Sequence, residues 1–194
     1  MKLLEDLLNK SADSHHRLCP RQVLGVRIGL YAGHMLDLQV PRPDKRLHVF
    51  METDGCAVDG VTVATGCSVG RRTMHILDFG KVAATFADKD THNAVRIHPN
   101  PEARCLARNY APDAPDDWQA YLLGYQLMPD EELLVGQPIR LTVSLEAIIS
   151  QEGVRALCDG CGEEIYNERE VRSTGLTLCK ACAGKIYYTF VKEN

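Results

Sequence analysis

Two CxxC pairs near one end of the chain, Cys158-Asp-Gly-Cys161 and Cys179-Lys-Ala-Cys182, limit its folding more than any other feature. A CxxC turn points two sulfurs at one place, and two such knuckles complete a tetrahedral thiolate site suited to zinc. The seventeen residues between the pairs lie within the usual spacing for such sites. Gly160 and Gly162 supply the backbone freedom that the first knuckle needs. Glu170 to Leu178 resembles a hairpin turning at Ser173 to Gly175, and Ala183 to Phe190 is expected to form a short helix. Knuckle, hairpin, knuckle and helix is a treble-clef layout, holding one structural zinc on Cys158, Cys161, Cys179 and Cys182.

The remaining sequence is long enough for one domain of moderate size. We expect an α+β fold, an antiparallel or mixed sheet with packed helices, over residues 1–154, and the four-cysteine finger over 155–194. Leucines at 3, 4, 7 and 8 predict a helix over 2–16. Pro20 opens a second helix, which the prolines at 41 and 43 should end. Strands are predicted at His48 to Glu52, His75 to Phe79, Val82 to Ala87, Val95 to His98 and Ile139 to Leu145. Helices are predicted at Cys56 to Thr65 and at Asp116 to Leu127, the latter capped by Asp116 or Asp117.

With 22 basic against 26 acidic residues, the net charge is −4, and no basic footprint for nucleic acid is visible. The finger itself mixes five acids with four bases, which points to packing or dimerisation more than to phosphate contacts. Neither the N-terminal segment nor any internal run reads as a signal or membrane span. A cytoplasmic location follows, where eight cysteines suggest metal binding or reactivity over disulfides.

A second group of candidates lies upstream. Cys19 precedes Pro20 at a helix start, where free N–H groups and the dipole favour a thiolate. His15 stands four residues before it, within reach to share a metal or take a proton. Cys56 also starts a helix, with Asp59 one turn along on the same face. Cys67 sits in a turn among Thr65, Ser68, Arg71 and Arg72, a loop able to hold an anion on backbone N–H groups. These residues form a candidate metal or thiol site with an anion pocket beside it. Cys105 reads as a small core hydrophobe, and His34, His75, His92 and His98 as surface or satisfied core residues.

His15-His-Arg-Leu-Cys19-Pro20 through Gly29, Asp54-Gly-Cys56-Ala-Val-Asp59, Thr65-Gly-Cys67-Ser-Val-Gly70 and Asp78-Phe-Gly-Lys81 resemble, in order, the motif blocks of FmdE-like proteins. These are relatives of the FmdE component of formylmethanofuran dehydrogenase, and many carry a C-terminal treble clef. The resemblance implies a homodimer whose core pocket uses His15, Cys19, Cys56 and Cys67 with Asp59 nearby, and which takes a second metal ion. Where the family has a glycine, a second histidine and a further glycine, this chain has His16, Arg17 and Arg21, which adds positive charge and favours a small anionic ligand. No iron–sulfur cysteine run is present, so the dehydrogenase reaction itself is not assigned to this chain.

The leading expectation is thus an FmdE-like zinc-binding accessory protein with a metal- or ligand-binding core pocket. The alternatives are a cysteine-dependent enzyme of thiol or group-transfer chemistry, with His15 as base, and a zinc-finger regulator binding nucleic acid.

Overall fold

The structure is a computed structural model describing residues 2–15, 17–149, 153–189 and 191. It divides into two compact units, Met1–Thr142 and Val143–Asn194.

In the first unit α1 (Lys2–His15) buries Leu7 and Leu8 from the predicted leucine stripe. Then α2 (Pro20–Leu36) is buried along most of its length, with Val23, Val26 and Ile28 inaccessible to solvent. It ends at Asp37, whose left-handed backbone (φ 51) closes the last turn through N–H bonds to Gly33 and His34. The stop therefore falls before the prolines expected to impose it. β1 (Leu47–Met51) is followed by α3 (Ala57–Thr65), then β2 (Met74–Ile76), β3 (Ala84–Asp88) and β4 (Ala94–Pro99). These are followed by α4 (Ala103–Tyr110), α5 (Asp117–Leu127), a single turn α6 (Asp130–Leu133) and β5 (Leu134–Ile139). Asp116 caps α5 by accepting the Gln119 N–H at 2.7 Å.

The five strands form one mixed sheet in the order β2-β1-β3-β4-β5, with β1 and β2 parallel and every other pair antiparallel. Leu47, Val49 and Met51 alternate with His48 and Phe50 along β1, so that one face joins Phe86, Ile97 and the apolar side of α2 in the core. The fold is thus α+β, as expected.

Two further segments, β5 and α4, differ from the sequence-based expectation. The strand expected over 139–145 lies at 134–139, and Ser144 instead caps a short helix. Gly136 and Pro138 masked the true strand, and the sheet tolerates them because β5 is an edge. The unexpected α4 is marked by little more than Leu106 and Tyr110, because its fully buried positions are the small Ala103 and Ala107.

The second unit contains α7 (Leu145–Ile148), the hairpin β6 (Arg155–Leu157) with β7 (Glu164–Tyr166), and the hairpin β8 (Val171–Ser173) with β9 (Leu176–Leu178). The second hairpin turns where expected, through Thr174 (φ 50) and Gly175 (φ 83). No helix forms over 183–189. Gly184 adopts φ 94 after a turn in which Lys185 N–H bonds Lys180, and this directs the chain out of a helical path. Phe190, the end of that expected helix, lies outside the described residues. No helix among the described residues is long and apolar enough to cross a membrane.

Candidate functional site

The finger brings its four cysteines together. One ligand atom from each of Cys158, Cys161, Cys179 and Cys182 lies within 4.8 Å of the others. Tetrahedral zinc–thiolate bonds of about 2.3 Å place sulfurs roughly 3.8 Å apart, so this cluster closes on a metal with small adjustments. Gly162 N–H bonds back to Cys158 O at 2.8 Å, which closes the first knuckle. Asp159 then exchanges two backbone-anchored bonds with Thr177 on β9, its N–H to Thr177 O and its carboxylate from Thr177 N–H. A Cβ on Gly160 would stand 3.1 Å from the Cys182 side chain, so a larger residue would push the knuckles apart.

N–H donors aimed at sulfur stabilise thiolates here. Cys179 N–H lies 3.2 Å from Cys158 Sγ, and Cys182 N–H lies 3.3 Å from Cys179 Sγ. The first of these is the main reason that the Cys158 thiol falls to about 6. Cys182 is pushed up to about 12, chiefly because Cys179 and the other sulfurs share its proton. The four sulfurs would hold a zinc ion in place of their shared protons, and its uptake would release protons.

The first unit carries a cavity of about 950 Å³. Cys19 and Cys56 both line it, and the Cys19 sulfur is near enough to raise the pKa of the Cys56 thiol. Helix packing accounts for their meeting. Gly25 on α2 faces Ala57 and Gly60 on α3 so closely that a Cβ would fall 2.2 Å from Ala57 O. The two backbones touch, and the helices begin side by side, with Cys19 and Cys56 at their N-caps. Each start adds positive dipole potential to the same spot.

Gln22, fully buried, fixes the Cys19 end. Its Oε1 accepts the Cys19 N–H at 2.8 Å, and its Nε2 donates to Ser11 O and Oγ at 2.7 and 3.0 Å. The Cys56 thiol titrates above its ordinary value, first through burial and then through the Cys19 sulfur beside it.

The other expected residues are placed as follows. Asp59 lies on α3 near enough to add to the rise at Cys56, but it is not a lining residue. Cys67 is buried in the core, where its thiol donates to Leu47 O at 3.2 Å and burial raises its pKa; it does not line the cavity. The anion loop expected around Cys67 is not available as such. The N–H groups of Cys67, Ser68, Arg71, Arg72, Thr73 and Met74 all bond within the loop. Cys105 is exposed on the outer side of α4, not in the core. His16 lies outside the described residues, and of His15 only the backbone at the end of α1 is described.

The cavity gathers two residues of the motif blocks, Arg21 and Lys81, with two that the motifs did not point to, Arg96 and Arg104, and no carboxylate lines it among the described residues. Arg96 is held in a two-pronged ion pair with Glu52, at 2.7 Å for both bonds. His98 also lines it, and its Nδ1 lies 2.8 Å from Pro99 O. A carbonyl only accepts, so Nδ1 carries the proton and Nε2 keeps its lone pair in the neutral ring. Trp118, Tyr121 and Tyr125 form an aromatic stripe on one face of α5. The basic residues come from four separate segments of a chain with net charge −4, so no local run signalled them.

Comparison with known proteins agrees with both units. The family model "FmdE, Molybdenum formylmethanofuran dehydrogenase operon" matches residues 14–135. A model for the prokaryotic dksA/traR C4-type zinc finger matches residues 152–188. A probable S-adenosyl-L-methionine-binding protein of Archaeoglobus fulgidus is 32% identical over 102 residues, 51% of this chain but only 28% of that protein's length. Among solved structures, a tungsten formylmethanofuran dehydrogenase FmdE-like protein from Syntrophus aciditrophicus shares the fold. It has a TM-score of 0.60 at 21% identity, with 96% of this chain and 95% of that one covered. The family match spans both cavity thiols and the cationic residues around them, and on it the chain belongs to the FmdE family, extended by a four-cysteine zinc finger.

Proposed function

We propose that the core unit is a metal- and ligand-binding module in which Cys19 and Cys56 hold a soft metal ion at the edge of the cavity. The observation that carries this reading is the pair of thiols that line one cavity at two adjoining helix starts. His15 is the third ligand implied by the family pattern, and α1 ends at that residue, four positions before Cys19. Mixed imidazole and thiolate ligation suits zinc. Asp59 acts through Cys56 in this reading. Cys67 packs beneath the sheet and serves the fold.

The cationic lining favours an anionic ligand beside the metal. The name of the Archaeoglobus relative is not carried over, because only 28% of that relative's length is matched. A homodimer belongs to the same proposal. Its support is the edge strand β2, which ends at the exposed Ile76 and is followed by the exposed Leu77 and Phe79, a row suited to pairing with a second copy. A reducing cytoplasmic setting is also part of the proposal, since a thiol pair and a four-cysteine site both require reduced sulfur.

Metal content per chain tests the core site. Wild-type protein should carry two zinc equivalents and the Cys19→Ser/Cys56→Ser variant one, retained by the finger. One equivalent in both proteins overturns the metal reading. The competing thiol-enzyme reading requires a nucleophile ionised near neutral pH. The raised pKa of Cys56 runs against this, and rapid single-site alkylation of Cys56 at pH 7 in metal-free protein would favour it instead.

A further inference from the structure

Taking the cavity beside Cys19 and Cys56 as the site, we infer that its ligand is a planar ring bearing an oxyanion group, carboxylate or phosphate. Three features of the lining lead to this conclusion. The first is charge. Arg96 is engaged by Glu52, which leaves Arg21, Lys81 and Arg104 as exposed cations that no ion pair joins to a carboxylate among the described residues. They come from the start of α2, the loop before β3 and the start of α4, so they surround the opening from three elements.

The second feature is the wall that α5 contributes. Trp118, Tyr121 and Tyr125 follow one another at helical spacing, and the two tyrosine rings lie nearly parallel, 5.8 Å apart with 8° between their planes. Trp118 is 44% exposed although it lines a cavity, so much of this aromatic side chain is left for a ligand to cover. The third feature is size. A volume near 950 Å³ exceeds what a bare phosphate or acetate fills and lies in the range that encloses a whole cofactor-sized ligand. Cations alone would suit any anion, and aromatics alone any apolar ring. Their presence around one cavity selects a molecule with both parts.

Trp118 is the sole tryptophan of the chain, so its fluorescence reports occupancy without a label. The full-length protein is titrated with adenosine 5′-monophosphate, nicotinate, adenosine and ribose 5-phosphate, with excitation at the red edge of tryptophan absorption. Saturable quenching by the monophosphate or by nicotinate is expected, at least tenfold tighter than by adenosine or ribose 5-phosphate. Preference for the first identifies a phosphate ligand, and preference for the second a carboxylate. Arg21→Ala/Arg104→Ala should weaken the favoured probe at least tenfold, and added salt should do the same. A Trp118→Leu variant, followed by calorimetry, should weaken the ring-bearing probe and leave ribose 5-phosphate unchanged. Equal binding of adenosine removes the role of charge, equal binding of ribose 5-phosphate removes the ring, and no saturable binding of either ring-bearing anion at millimolar concentration overturns the inference. The same titrations on the Cys19→Ser/Cys56→Ser variant separate the two proposals, because zinc stoichiometry reports the metal and Trp118 reports the ligand.

Discussion

Replacing Gly60 by alanine is the sharpest test of how the thiol pair is positioned. A Cβ there would lie 2.3 Å from Gln22 O, 2.7 Å from Val26 N and 2.9 Å from Gly25 Cα, all of them backbone atoms of α2. Side chains can rotate away from an intruding methyl, but backbone cannot, so α3 must retreat from α2 by about 1 Å to restore ordinary contact. Overpacking of this kind costs about 3 kcal/mol at its upper end. Alanine's better helix propensity returns about 1 kcal/mol, leaving a net loss of about 2 kcal/mol. For a unit of this size that corresponds to a fall in Tm of roughly 4–8 °C, read by circular dichroism or calorimetry. Gly70→Ala serves as control, since nothing lies within 4 Å of its Cβ, and it should change stability by less than about 0.5 kcal/mol. The retreat also carries Cys56 away from Cys19, so metal uptake at the core should fall along with the Tm. A Gly60→Ala protein as stable as the wild type, with full metal content, would refute the view that backbone contact sets the spacing of the two thiols.

Further outcomes follow from other parts of the structure. Gln22→Ala should destabilise the first unit by about 2–3 kcal/mol, because Ser11 and the Cys19 N–H both lose a buried partner; urea denaturation measures it. Cys179→Ser should remove one zinc equivalent and speed amide exchange over residues 155–182, as read by hydrogen-exchange mass spectrometry. Glu52 has its carboxyl depressed, first by the hydrogen bonds from Arg96, so the pair's stabilisation is fully present above the unfolded value of 4.5 and fades as pH falls through the lower folded value. Glu52→Gln should therefore cost about 1.5–3 kcal/mol at neutral pH and flatten the stability profile below pH 4.5, as followed by thermal melts across that range. With zinc bound, Cys105 should react promptly with Ellman's reagent, and Cys67 only on unfolding.

The sequence was most informative where chemistry is local. The finger's ligands are separated by short fixed intervals, and the knuckles form because CxxC leaves few other geometries. Cys19-Pro20 marked the start of α2 for the same reason, since a proline at N1 and a cap residue before it are adjacent signals. The features that escaped notice depend on tertiary context. Helix α4 buries alanines, which leave a faint stripe, and β5 contains a glycine and a proline that only an edge position permits. Cys67 resembled a site residue because its neighbours are rich in donors, but folding turns those donors on the loop itself. Positive charge at Arg21 was legible as a departure from the family pattern, but the cationic cavity as a whole was not, because Lys81, Arg96 and Arg104 belong to different segments and are outnumbered by acids elsewhere.

One side chain links the two walls of that cavity. Arg27 projects from α2, the helix that begins at Cys19, and donates to Tyr125 O and Met128 O at the end of α5, both at 2.7 Å. It also pairs with Asp130 at 2.7 Å. The thiol wall and the aromatic wall are therefore braced by a single guanidinium, 8% exposed, acting as a strut of fixed length. The breadth of the chamber becomes a one-residue design variable: a shorter donor at position 27 draws the walls inward or frees α5 to swing. An engineer wishing to resize this chamber for another ligand could begin at Arg27 and leave the lining residues untouched.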